Sequence, residues 1–332
     1  MKTGLRWGIL GTADIATETI RALSNSACHE CGTVRAIASR DLQRAKLYAH
    51  KYEIPLAFGS YEDLLAAGVV DVVYIPLPNS LHAQWTIRAM ETGHHVLCEK
   101  PIAISADQAL EVAEASKRTG FHVAEAFMYR HHPQWSTVAE LISSGSIGDV
   151  VSLNSRFTFL LDDPSANPAS KELAGGALMD VGCYCVHFSR MITKAEPIQV
   201  SAMEKRGEVD EAMIGMMEFP GGVLAQFETG INSFEKHGVE ITGTRGSIVL
   251  DQPWVPGDRL ALIKIYNEDQ PMRTITVPPA NSYFLQANQF TVDCIEDGPP
   301  RWSIADAVAN MRVIDALFES AATGKTIAVR QE

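Results

Sequence analysis

The sequence predicts an α/β chain of two parts: an N-terminal doubly wound parallel sheet of the Rossmann type over residues 1–126, and an α+β part over 127–332 with a large, mainly antiparallel sheet. Three observations carry this. From Leu5 to Ala126, short apolar runs alternate with helical patterns, the order that β-α-β units require. A small-residue turn, Gly11-Thr12-Ala13, joins the first such run to the first helix. From Val150 onward, strand patterns follow one another across short turns such as Pro220-Gly221-Gly222.

The first strand pattern is Leu5-Arg6-Trp7-Gly8-Ile9-Leu10, and the helix after it runs to about Leu23. Against the G-x-G-x-x-G fingerprint, Gly11 keeps the first glycine while Ala13 and Ala16 supply the next smallest side chain at the other two positions. An alanine there still admits a pyrophosphate near the helix N-terminus, where free N–H groups and the helix dipole favour an anion. The competing reading is a strand-to-helix turn whose residues are small for packing alone.

Val34–Ala38 reads as the second strand and ends in Ser39-Arg40-Asp41, with Arg44 one helical turn on. A ribose 2′-hydroxyl asks for an acidic side chain at this place, whereas a 2′-phosphate asks for a hydroxyl and a guanidinium. Ser39 and Arg40 therefore point to NADP rather than NAD, since a guanidinium matches a phosphate dianion. Asp41 is the competing candidate for the ribose, and Arg40 with Arg44 reads alternatively as a solvated helix face.

Val69–Leu77 is a continuous apolar run of the kind that parallel sheets bury, and Pro76-Leu77-Pro78-Asn79 breaks it before a helix over Leu81–Glu91. Then come a strand over His95–Cys98, a helix over Ser105–Thr119 and a strand over Phe121–Ala126. Right-handed crossovers place Gly11, Asn79 and Lys100 along the carboxyl edge of one sheet, where ligands bind. Lys100, inside Glu99-Lys100-Pro101, is a cation suited to acid-base work on a hydroxyl; the bland reading is a surface pair with Glu99.

These residues resemble a family. Gly11-Thr12-Ala13-Asp14-Ile15-Ala16, Tyr74-Ile75-Pro76-Leu77-Pro78-Asn79-Ser80-Leu81-His82, Cys98-Glu99-Lys100-Pro101 and Glu125-Ala126-Phe127-Met128-Tyr129-Arg130 are similar to the glucose-fructose oxidoreductase, inositol dehydrogenase and MocA (Gfo/Idh/MocA) family. Within it, the branch of NADP-dependent aldose dehydrogenases and dimeric dihydrodiol dehydrogenases is the most similar. The resemblance implies that Lys100 is catalytic, with a cis bond to Pro101. It implies cofactor contacts from Gly11, Thr12, Ala13, Ile15, Ser39, Arg40, Arg44, Pro76, Leu77, Asn79, His82, Glu99 and Lys100.

In the second part, Gly175-Gly176-Ala177-Leu178-Met179-Asp180-Val181-Gly182-Cys183-Tyr184 reads as a loop entering a helix, with Asp180 and Tyr184 four apart on one face. Family members carry an aspartate and then a histidine or tyrosine of acid-base function at this spacing. The tyrosine favours the sugar and dihydrodiol branch over inositol dehydrogenase. Without the resemblance, Tyr184 would read as an ordinary half-buried helix tyrosine, and His187 one turn on as a packed residue. Strands are expected over 150–159, 198–205, 212–219, 223–231, 239–242, 247–250, 261–266 and 273–277, then helices over 283–296 and 303–320. Both alternating sets of Ala212–Phe219 and Val223–Phe227 contain apolar residues, so neither sheet face reads as solvated. A covered face implies an interface, and the resemblance implies a homodimer or higher homo-oligomer through this sheet.

The expected activity is hydride transfer between NADP and a hydroxyl-bearing carbon of a sugar or cyclic polyol. Tyr184 would accept the proton, Lys100 would hold the tyrosine pKa down and Asp180 would orient substrate or lysine. A trans-dihydrodiol dehydrogenase and a non-catalytic NADP-binding regulator are the alternatives. With 332 residues, two cores fit; 46% hydrophobic and 20% charged residues are ordinary globular usage, and a net charge of −12 argues against general nucleic-acid or anionic-membrane binding. The early first strand, without a signal or membrane span, predicts a cytoplasmic chain with its six cysteines reduced. Cys28-His29-Glu30-Cys31 is a single C-x-x-C without a second pair and reads as a surface loop, so no metal is expected.

Overall fold

In the computed structural model, which describes residues 4–24, 32–257, 259–268, 270–296, 298 and 300–331, the alternating segments form a six-stranded parallel sheet. Its strands are β1 (Arg6–Leu10), β2 (Thr33–Ala38), β3 (Leu56–Phe58), β4 (Val72–Ile75), β5 (His95–Cys98) and β6 (Val123–Glu125), in the spatial order β3-β2-β1-β4-β5-β6. The connecting helices are α1 (Ala16–Ser24), α2 (Leu42–Lys51), α3 (Tyr61–Ala66), α4 (His82–Glu91) and α5 (Ala106–Thr119). β4 is buried throughout, as a strand covered on both faces must be. The order reverses between β1 and β4, so the crevice at a topological switch point opens at their carboxyl ends.

Local chemistry sets the helix ends. The Ser105 hydroxyl accepts from Gln108 N at 3.3 Å to start α5, and Gly120, at φ 77°, stops it while its N–H donates to Ser116 O. The edge pair β3 and α3 went unread in the sequence, because three residues of strand, none fully buried, leave little pattern. Cys28-His29-Glu30-Cys31 lies outside the described residues.

The second sheet has nine strands. They are β7 (Val150–Leu160), β8 (Gln199–Arg206), β9 (Asp210–Glu218), β10 (Leu224–Gly230), β11 (Asn232–Gly243), β12 (Gly246–Leu250), β13 (Ala261–Asn267), β14 (Gln270–Val277) and β15 (Ile327–Ala328), in the order β14-β13-β12-β11-β7-β10-β9-β8-β15. Neighbours are antiparallel except β7 and β10, which run parallel. The helices of this half of the sequence are α6 (Gln134–Ser143), α7 (Cys183–Thr193), α8 (Ser282–Glu296) and α9 (Ile304–Thr323). Helix α7 packs on β7 and β10, and its last turn is held by Arg190, which donates to both Glu196 carboxylate oxygens at 2.6 and 2.7 Å.

The chain separates into two compact units, Met1–Met128 with Tyr283–Val308, and Tyr129–Ser282 with Ala309–Glu332. This differs from a single cut after residue 126. Ala287, Phe290 and Cys294 of α8 join the core of Trp7, Ile9, Ile20, Ile37 and Leu97, and the Phe290 ring meets Trp7 edge-on at 6.2 Å. An apolar helix face shows that a helix is buried, but its own pattern does not say which sheet it covers.

Candidate active site

The turn after β1 needs its glycine. Gly11 sits at φ 111°, and a Cβ there would meet Leu77 Cδ2 at 3.0 Å. Its N–H donates to Ala38 O at 2.8 Å, which ties the turn to the end of β2. Thr12 is buried, Ala13 and Ile15 are partly or largely open, and Ala13 O accepts the Ala16 N–H as α1 begins. The result is a tight turn of small residues at a helix N-terminus, which fits a pyrophosphate.

At the end of β2 the polar atoms are divided clearly. Asp41 caps α2, its carboxylate accepting from Gln43 N at 2.8 Å and Arg44 N at 3.3 Å. The carboxylate that could have served a ribose is therefore engaged with the helix. Ser39 is buried, accepts from Asp41 N at 3.3 Å and keeps its own O–H to donate. Arg40 and Arg44 are exposed, and Arg44 Nη2 donates to Thr12 O at 3.1 Å, so one guanidinium is anchored to the first turn. A hydroxyl donor with two cations fits a phosphate dianion, and hence NADP.

The segment after β4 continues Pro76, Leu77, Pro78 into a short 3₁₀ turn over Asn79–Leu81, with Asn79 half-buried. His82 departs from its expected cofactor contact. It is 1% exposed, and each ring nitrogen lies 2.7 Å from a backbone carbonyl, one of Leu77 and one of Pro101. It clamps two loops together and has no ring nitrogen left for a ligand. An imidazolium would donate to both carbonyls, but burial, aided by the Lys100 charge, opposes that charge and pulls the pKa down to about 4.

Lys100 follows β5, is half-buried and is joined to Pro101 by a cis bond. Its neighbour Glu99 is buried, and the Glu99 carboxylate accepts from Tyr74 Oη at 2.5 Å and Lys100 N at 3.3 Å. The Tyr74 phenol is held well above its usual range by burial and by Glu99. Glu99 thus serves the loop that carries Lys100.

In the second unit, α7 is entered through a π-helical turn over Leu178–Gly182 that the sequence pattern did not reveal. Such turns recur at functional sites. Asp210 starts this one: Asp210 Oδ2 accepts Leu178 N at 2.7 Å, and burial raises the carboxyl pKa to about 6. The close approach explains Gly175-Gly176. A Cβ on Gly176 would lie 1.9 Å from Asp210 Oδ1, and one on Gly175 2.4 Å from Pro168 O.

Asp180 is half-buried inside the turn; Tyr184 is 7% exposed in the first turn of α7. Rings of Tyr129, Phe157 and Trp254 stand 5.6, 5.3 and 5.8 Å from Tyr184. Behind them His187 is fully buried. Arg130 Nη1 donates to His187 Nε2 at 3.2 Å, so Nδ1 carries the proton and donates to Tyr129 Oη at 2.6 Å. Asp180 and Tyr184 belong to the second unit and Lys100 to the first. Asp210 and the Tyr129–His187–Arg130 network were missed by sequence reasoning. Tyr129 and Arg130 stand in a recognised motif, but nothing local to Asp210 signals its role.

Residues 5–127 match the Gfo/Idh/MocA oxidoreductase family with its NAD-binding Rossmann fold, and residues 135–249 match the C-terminal domain of the same family. The chain belongs to the Gfo/Idh/MocA family. Among its relatives is D-xylose 1-dehydrogenase (NADP(+)) 2 of Haloferax volcanii, 38% identical over 327 residues that cover 97% of this chain and 99% of that protein. Another is the trans-1,2-dihydrobenzene-1,2-diol dehydrogenase of Xenopus laevis, 32% identical across 95% of this chain and 97% of that one. The crystal structure of KijD10, a 3-ketoreductase from Actinomadura kijaniata in complex with NADP and TDP-benzene, superposes with a TM-score of 0.90 at 27% identity, covering 96% and 98% of the two chains. This Gfo/Idh/MocA chain offers no group of three or more metal-binding side chains among its described residues, and no helix there is long and apolar enough to cross a membrane.

Proposed function

We propose that this oxidoreductase uses NADP to move a hydride to or from a hydroxyl-bearing carbon of an aldose or related cyclic polyol. The observation that carries the cofactor choice is the engaged Asp41 carboxylate beside Ser39, Arg40 and Arg44. Gly11, Thr12 and Ala13 hold the pyrophosphate, and Pro76, Leu77 and Asn79 border the crevice above β4. The nicotinamide, when bound, takes up or returns the hydride. Tyr184 accepts the hydroxyl proton in the oxidative direction and returns it in reduction. The Lys100 ammonium stabilises the negative charge that develops on the reacting and phenolic oxygens, and Asp180 orients substrate or lysine by hydrogen bonding.

The xylose dehydrogenase relative supports the aldose as substrate. The aromatic surround of Tyr184 favours a second reading, a trans-dihydrodiol as substrate, in line with the relatives of that name. The protein works as a cytoplasmic homodimer or higher homo-oligomer. Turnover of NADP against a panel of aldoses, polyols and trans-dihydrodiols tests the reading. Efficient turnover of an aldose or polyol is expected; turnover of dihydrodiols alone moves the assignment to the second reading, and none with any of them removes both.

A further inference from the structure

The loop bearing Lys100 leaves the sheet after one more ladder bond, from Glu99 N to Ile75 O at 3.1 Å, and then depends on side chains. Glu99 takes the Lys100 N–H, and His82 meets the Pro101 carbonyl at 2.7 Å. The third anchor is Glu125. It ends β6 directly beside Cys98 of β5, is 4% exposed, and its Oε1 accepts the Ile102 N–H at 2.8 Å. Lys100 is therefore bracketed: the peptide before it is tied to Glu99, and the two residues after it are tied to His82 and Glu125.

The Glu125 oxygen meets the Ile102 N–H from the far end of a buried side chain rooted at the end of β6, so the length of that side chain sets where the loop lies. We propose that Glu125 is a positioning residue for Lys100, acting through the reach of its oxygen to Ile102 N rather than through its charge. The proposal rests on the catalytic reading of Lys100. In chemistry of this kind, misplacement of a catalytic group by about 1 Å costs up to roughly 100-fold in rate.

Two variants separate reach from charge. Glu125→Gln keeps the carbonyl oxygen at the same distance and removes the charge; Glu125→Asp keeps the charge and withdraws the oxygen by one methylene. Steady-state kinetics with the best substrate of the panel is read together with NADP affinity from fluorescence titration. Expected are a kcat for Glu125→Gln within about 5-fold of the parent, a kcat for Glu125→Asp lower by about 10-fold or more, and NADP dissociation constants within about 3-fold for both. In a Lys100→Met background neither change lowers kcat further. Equal activity of Asp and parent, a loss in Gln matching or exceeding that in Asp, or further losses in the Lys100→Met background overturn the positioning role. Near-normal turnover of Lys100→Met alone sinks the catalytic reading itself, and is told apart by that single variant.

Discussion

At the end of β2, cofactor choice comes down to how neighbouring residues spend their polar atoms. Once Asp41 caps α2, the groups left to meet a ribose substituent are the Ser39 hydroxyl and the Arg40 and Arg44 guanidiniums. Hydrogen bonds to charged partners contribute about 1.5–3 kcal/mol each, so Arg40→Ala should lower the NADP-to-NAD ratio of kcat/KM by about 10- to 100-fold. An unchanged ratio would assign the phosphate to other residues. Lys100→Met and Tyr184→Phe should each lower kcat by about 100-fold or more while NADP binding survives, and the double variant should not multiply the losses. A single variant with near-normal turnover on its best substrate defeats the mechanism. The turn after β1 was legible at this scale: Gly11 does adopt the positive φ that its place in the turn implied. His82 was not, because sequence shows that a histidine stands near the crevice but not which way packing turns its ring.

Elements were legible where their pattern is local. The helix expected over Ser105–Thr119 forms as α5 with Ser105 as its cap, and β5 starts and ends as its apolar run does. The π-helical turn was hidden because its cause is a distant side chain, Asp210, pressed against Gly176 and Leu178 N. That arrangement has a pH signature. Burial raises the folded pKa of Asp210 to about 6 from the usual 3.8, so the native state holds a proton that the unfolded chain has released. Its contribution is therefore most favourable below about pH 4 and is lost as pH rises through 6, by on the order of 3 kcal/mol. Asp210→Asn keeps an oxygen for Leu178 N and carries no charge. Thermal unfolding followed from pH 4 to 7 should show a flatter profile for the variant, with its midpoint at or above the parent's at pH 7. A parent and variant that fall in parallel would show that Asp210 ionises without cost.

For the whole molecule, strand–helix alternation predicted the first sheet and successive strands across short turns the second, yet the pattern left open which face of the second sheet stands outward, since both alternating sets contain apolar residues. The register settles this within the sheet. Phe227 and Met217 are buried at 2% and 1% exposure, on the side where α7 packs, whereas Ile214, Met216 and Leu224 are 62%, 57% and 58% exposed. Met203 of β8 is 81% exposed as well. These four lie on three adjacent strands, β8, β9 and β10, and a hollow of about 540 Å³ lined by Met216, Leu224, Gln226 and Thr326 opens on the same strands. Large exposed apolar side chains gathered on one sheet face, here interspersed with Ser201, Glu218 and Gln226, mark a surface that proteins cover, and pairing of like faces about a two-fold axis is the simplest closed way to cover it. Light scattering should therefore give twice the 36.2 kDa chain mass or a multiple of it. Met216→Glu, which places a charge in the middle of the patch, should shift the protein toward monomer without lowering its thermal midpoint by more than the loss of assembly explains. Phe227→Glu serves as the contrast: it buries a charge and should unfold the chain at any concentration. A parent protein that stays monomeric at micromolar concentration would rule the interface out.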